Sequence, residues 1–144
     1  MSRIQHILLA EDTEADIALM QLAFEEYGIH EENVAVTRDG AEALDYLFRR
    51  GPYQERRAGN PELIILDLKL PKITGLEILK EIRADEGIKN VPVVIFSSSL
   101  HEKDRENALQ NGANDFIVKP LEFDAFCNCV YSMLSESGLV PRND

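Results

Sequence analysis

Cysteine is scarce in this chain of 144 residues, which holds only Cys127 and Cys129. They lie two apart in a segment with helical period, so their side chains point to different sides and cannot pair. A disulfide framework is excluded, and Cys127 reads as a helix packing residue rather than a redox sensor. Histidine is also sparse: His6, His30 and His101 are scattered without ligand spacing, which gives no support to a zinc site. Any metal would have to be held by carboxylates. Positive charge is in deficit, with 15 Lys and Arg against 26 Asp and Glu and a formal charge of −11. That balance argues against direct binding to nucleic acid or to an anionic membrane surface. Long apolar runs are missing, and the start MSRIQHILLAED has neither an extended apolar stretch nor a cleavage site. A soluble, cytoplasmic protein without membrane insertion is expected. No glycine-rich phosphate loop follows the first apolar run, which weakens a nucleotide-binding reading.

What the chain does have is an alternation of short apolar runs and amphipathic stretches. His6 to Ala10, Val34 to Thr37, Leu63 to Leu66, Val93 to Phe96 and Asp115 to Val118 read as strands. Between them, Ile17, Met20, Phe24 and Tyr27 recur at helical steps, as do Leu76, Leu79 and Ile82, then Phe123, Phe126, Cys127, Val130 and Leu134. Weaker helices fall at Ala41 to Phe48 and Lys103 to Leu109. Capping boxes are predicted at Thr13/Asp16, Asp39/Glu42, Thr74/Glu77 and Ser99/Glu102. Five strand-then-helix units imply an α/β fold, a doubly wound five-stranded parallel sheet with five helices. The size suits one domain over 1–144, with its core over about 5–135. Residues 49–60, RRGPYQERRAGN, carry four arginines, two glycines and a proline and read as an exposed loop. Residues 136–144 read as a short flexible tail.

In an open parallel sheet, ligands bind beyond the carboxyl ends of the strands. Glu11 and Asp12 follow the first strand, Asp67 the third, Ser97 the fourth and Lys119 the fifth. Singly, most have a plain structural explanation. Glu11 and Asp12 could favour a helix dipole, Ser97 to Ser99 could cap a helix, and Lys119 could be a solvated loop lysine. Asp67 resists such an account, because it directly follows Leu63-Ile64-Ile65-Leu66, where an unpaired charge is costly. Three carboxylates, a hydroxyl and an ammonium at one sheet edge form a divalent-cation and phosphoryl constellation.

These residues and their motifs resemble the receiver domain of two-component response regulators over about the whole chain. Glu11-Asp12 matches the acidic pair, Asp67-Leu68-Lys69-Leu70-Pro71 with Gly75 the phosphoacceptor loop, Pro92 to Ser98 the fourth strand with its switch hydroxyl, and Lys119-Pro120 the terminal lysine motif. The resemblance implies a flavodoxin-like receiver fold with strand order 2-1-3-4-5. The long loop between the second helix and third strand resembles that of stand-alone regulators partnering phytochrome-type histidine kinases.

The resemblance also assigns roles. Asp67 would be the phosphoacceptor, and Glu11, Asp12, Asp67 and the Lys69 backbone carbonyl would hold Mg²⁺. Ser97, Ser98 and Lys119 would bind the phosphoryl group, with Ser97 and Phe116 as switch residues; a static core role for Phe116 stays open. Three carboxylates against Mg²⁺ and Lys119 would balance at −3 and +3. A cis bond at Lys119-Pro120 fits the family pattern. The expected partner is a sensor histidine kinase, phytochrome-type or otherwise, or a histidine phosphotransfer protein. With no output domain after the last helix, signalling would run through protein contact or onward phosphotransfer, and a homodimer could form on the face of the fourth helix, fifth strand and fifth helix. The chain would not be an enzyme beyond slow autodephosphorylation. The alternatives are a binding-only receiver and a Mg²⁺-dependent aspartyl phosphatase, against which stands Lys69 where such enzymes place a second aspartate.

Overall fold

The computed structural model describes residues 6–57 and 59–141. Five strands, β1 (Ile7–Ala10), β2 (Val34–Thr37), β3 (Leu63–Leu66), β4 (Val93–Ser97) and β5 (Asp115–Val118), alternate with five helices, α1 (Glu14–Glu25), α2 (Gly40–Phe48), α3 (Gly75–Ala84), α4 (Glu102–Gln110) and α5 (Phe123–Glu136). The strands pair in parallel in the order β2-β1-β3-β4-β5. The doubly wound α/β architecture inferred from the alternating pattern is therefore present. β1, β3 and β4 are buried along their whole length, which is why they read as unbroken apolar runs.

Because successive side chains leave a strand on opposite faces, the central strands feed two cores. Ile7, Leu9, Leu63, Ile65, Val94 and Phe96 pack with Met20 and Phe24 of α1 and Phe126, Val130 and Leu134 of α5. On this side Phe96 and Phe126 meet edge to face at 5.1 Å between centroids. Leu8, Ala10, Ile64, Leu66, Val93 and Ile95 pack on the other face with Leu44, Ile78, Leu79, Ile82 and Ala108. Phe123, counted in the periodic stripe of α5, lies at the margin and is exposed.

Three of the four expected capping boxes differ. Thr74 and Glu77 form a reciprocal box, whereas Asp39 accepts from the Glu42 amide but the Glu42 carboxylate accepts from the Arg38 amide. Thr13 makes no side-chain cap bond, and α4 starts from His101 rather than Ser99. Ser99 is occupied elsewhere, donating to Asp104 Oδ2 at 2.5 Å.

The polar stretch from Arg49 is largely exposed, as read, but it is built rather than loose. Arg49 ends α2 in the left-handed region at φ 55°, and Gly51–Tyr53 form a 3-10 turn. Arg56 lies over the Tyr46 ring at 4.4 Å and donates to the Tyr46 and Leu47 carbonyls at the C-terminal end of α2. A cation is favoured where helix carbonyls lack partners. The segment after α5 also departs from a free tail: Gly138 turns the chain, the Leu139 amide donates to the Leu134 carbonyl at 2.8 Å, and Leu139 is buried in the first core. Residues 142–144 of that expected tail lie outside the described part. No helix among the described residues is long and apolar enough to cross a membrane.

Candidate phosphoacceptor site

Extension of the ladder beyond the strands places the acids. The Asp67 amide donates to the Ala10 carbonyl at 3.0 Å and the Glu11 amide to the Thr37 carbonyl at 2.9 Å. Asp67 and Glu11 therefore emerge side by side at the carboxyl edge of neighbouring strands, with Asp12 beyond them. One carboxylate oxygen from each of Glu11, Asp12 and Asp67 lies within 4.8 Å of the others, the only such grouping of three metal-ligating side chains among the described residues.

The loop after β3 is folded back against Asp67. The Gly75 amide donates to the Leu68 carbonyl, and a Cβ on Gly75 would stand 2.3 Å from the Asp67 carbonyl oxygen. Gly40 at the start of α2 donates to the Pro71 carbonyl, and its Cβ would fall 1.9 Å from the Ile73 oxygen. Only glycine permits both approaches. The Lys69 amide reaches Asp67 Oδ1 at 3.3 Å.

Lys119 arrives from the far side. Its amide donates to the Ser97 carbonyl at 2.8 Å, and its ammonium is almost enclosed. Nζ donates to Glu11 Oε1 at 2.7 Å, Asp16 Oδ2 at 2.9 Å and Asp67 Oδ2 at 3.0 Å. Burial alone would lower the lysine pKa. The bonds to Glu11 and Asp16 and the charge of Asp67 outweigh it, and the net shift is upward. Glu11 shows the opposite balance: burial pushes its carboxyl up to about 7, against the pull of Lys119 and with the help of the Asp67 charge. Its second oxygen accepts from the Thr13 amide at 3.2 Å.

Asp16 is the member that the sequence did not disclose. It reads as the acid of a capping box with Thr13, but the Thr13 amide is taken by Glu11 and the Asp16 carboxylate turns to Lys119 instead. The charge count changes accordingly. Four carboxylates face one ammonium, so a divalent cation leaves the cluster at −1 rather than balanced.

Ser97 is buried, and its Oγ accepts from the Ser99 amide at 3.1 Å, while Ser98 is exposed. Phe116 is buried in the second core, and its carbonyl accepts from Arg105 of α4 at 3.0 Å. The Lys119-Pro120 bond is trans, the ordinary preference for a proline peptide, and not cis as the family pattern suggested.

An all-oxygen donor set with few protein ligands and one exposed member fits a small, hard divalent cation that keeps several waters. An enclosed ammonium bonded to two of these acids and a buried hydroxyl at the end of the adjacent strand β4 complete the set of groups at this edge. Comparison with known proteins agrees. Residues 7–131 match the family model for the response regulator receiver domain, and the chain belongs to that family. It is similar to the probable methanogenesis regulatory protein FilR2 of Methanothrix harundinacea, 36% identical over 82% of this chain and 74% of that protein. Response regulator Rcp1 of Synechocystis sp. is 36% identical over 78% of this chain and 75% of its own. The structure of its Mn²⁺-bound form superposes with a TM-score of 0.81, covering 91% and 92%. The phosphorylated cyanobacterial phytochrome response regulator RcpA superposes at 0.85, with 35% identity over 97% of this chain and all of the other. Proteins of this family are signalling components of two-component systems rather than enzymes.

Proposed function

We propose that the chain is a cytoplasmic regulator that takes a phosphoryl group onto Asp67 from a phosphohistidine and signals through a surface altered by that event. The observation that carries this reading is the placement of Lys119 Nζ 3.0 Å from Asp67 Oδ2, with Asp67 also a member of the oxygen grouping it forms with Glu11 and Asp12. In the step, a carboxylate oxygen of Asp67 forms the new P–O bond as the P–N bond breaks, and the departing imidazole nitrogen keeps the bonding pair and takes up a proton. Glu11, Asp12 and Asp67, with the Lys69 carbonyl, would hold Mg²⁺, which when bound offsets the charge on the incoming phosphoryl oxygens. Lys119 redirects to those oxygens the N–H that Asp67 now accepts, and Ser97 and Ser98 donate from the other side. Movement of Ser97 would release its contact with the Ser99 amide and draw the loop through Ser99, whose hydroxyl donates to Asp104 in the first turn of α4. Phe116, whose carbonyl accepts from Arg105 of the same helix, would follow.

The exposed apolar residues Leu109, Val118 and Phe123 support a docking role for the face of α4, β5 and α5. Similarity to the phytochrome response regulator RcpA supports a phytochrome-type histidine kinase as donor, or a histidine phosphotransfer protein. Homodimerisation through this face is checked by sedimentation with and without beryllofluoride, a phosphoryl mimic; a monomer in both refutes it.

The central test is exposure to acetyl phosphate, with and without Mg²⁺, on wild type and Asp67→Asn, read by intact mass. One added phosphoryl group that requires both Mg²⁺ and Asp67, and that is lost slowly, is expected. No adduct would favour a binding-only module, and continuous phosphate release would favour a phosphatase.

A further inference from the structure

The geometry points to Asp16 as the positioning residue for Lys119: it holds the ammonium on the α1 side of the site and competes with the phosphoryl group for it, thereby limiting how tightly the phosphorylated state is held. The inference rests on the phosphoacceptor reading of Asp67. An ammonium has three N–H donors, and in this structure all three are engaged, by Glu11, Asp16 and Asp67. Glu11 and Asp67 also belong to the oxygen grouping that suits a cation, whereas Asp16 does not. Asp16 is thus a carboxylate that serves the lysine alone.

Its helical position gives it no other evident task. The acid at the third position of a helix would reach back to the amide of the capping residue, yet the Thr13 amide already donates to Glu11 Oε2 at 3.2 Å. Nor can Asp16 follow the lysine far, because the adjacent Ile17, with Met20 and Phe24, is buried and fixes α1 along its length. When Asp67 becomes an acyl phosphate, its bond to Nζ can pass to a phosphoryl oxygen while Asp16 still pulls from a fixed point. Removing that charge takes the metal-loaded cluster from −1 to neutral, which favours an added anion and frees the ammonium to meet it.

The test is calorimetric titration of the full chain with beryllofluoride at saturating Mg²⁺, for wild type, Asp16→Asn and Asp16→Glu. Asp16→Asn is expected to bind about three- to tenfold more tightly, the scale of one unit charge removed at this range, and Asp16→Glu to stay near wild type. A role confined to the helix terminus would lower stability without tightening the anion. In metal-free protein, the Lys119 ζ-ammonium signal in nitrogen-15 NMR is expected to be protected from exchange in wild type and to weaken in Asp16→Asn. Unchanged or weaker beryllofluoride binding by Asp16→Asn, with wild type binding normally, overturns the positioning role alone. Absence of binding by wild type overturns the phosphoacceptor reading and the inference with it. If Asp16→Asn does not fold, Asp16→Ser carries the same comparison.

Discussion

Mg²⁺ is expected to stabilise the chain, and by an amount that depends on pH in a way set by Glu11. Its carboxyl sits at about 7 in the metal-free fold, chiefly because it is buried, against an ordinary value of 4.5. The folded chain therefore binds more protons at this position than the unfolded chain between about pH 4.5 and 7. Metal-free stability from this group is present below that window and is lost as pH rises through it. Cation binding needs the ionised form, so at pH 6 it must displace a proton that is mostly absent at pH 8. The factor is about ten in apparent affinity, or about 1.4 kcal/mol. At a Mg²⁺ concentration about 100 times the dissociation constant at pH 8, the expected gain in stability is about 2.7 kcal/mol at pH 8 and about 1.4 kcal/mol at pH 6. For a chain of this length that corresponds to rises in melting temperature of about 8 and 4 °C. Circular dichroism melts at both pH values, with and without Mg²⁺, measure the two increments. Equal increments would refute the assignment of a raised pKa to Glu11, and Glu11→Gln should abolish the difference between them.

Three further outcomes are expected. Lys119→Met leaves Glu11, Asp16 and Asp67 clustered without their cation and should cost about 3 kcal/mol in metal-free urea unfolding, part of it restored by Mg²⁺. Gly75→Ala, whose methyl would stand 2.3 Å from the Asp67 oxygen, should lose about 1–3 kcal/mol and most of the Mg²⁺ response, whereas Gly28→Ala, with open space around it, should keep that response. Arg83→Met removes the guanidinium that donates to the Gly112, Lys89 and Val91 carbonyls and to Asn114. It should cost about 2 kcal/mol and speed amide exchange at Val93, whose amide is held by the same Asn114 side chain.

The parts of this structure that were legible in the sequence are those whose cause is local. Leu63 to Leu66 is a buried strand because four apolar residues in succession can be buried on both faces of a parallel sheet, and Thr74 with Glu77 starts a helix because their bonds close within one turn. The edge residues were legible because each follows such a strand directly. Asp16 was not, since its partner is 103 residues away and its local pattern imitates a cap. Ser99 was misread as a cap for a related reason, its hydroxyl being drawn to Asp104 within the following helix. The order of the loop after α2 was hidden because Arg56 binds backbone carbonyls, which every sequence possesses. Leu139 looked like part of a tail because one apolar residue beyond a helix carries no period, though the turn at Gly138 returns it to the core.

The distances along the chain between Lys119 and its carboxylates have a consequence for synthesis. The three bonds span 108, 103 and 52 residues, so the lysine is among the last parts of the site to leave the ribosome. A nascent chain that has emerged through β4 already holds every acid and the Ser97 hydroxyl, but not the cation that compensates them. Its acidic edge is then self-repelling, and the compensating ammonium arrives only when β5 adds to the sheet and brings Lys119 with it.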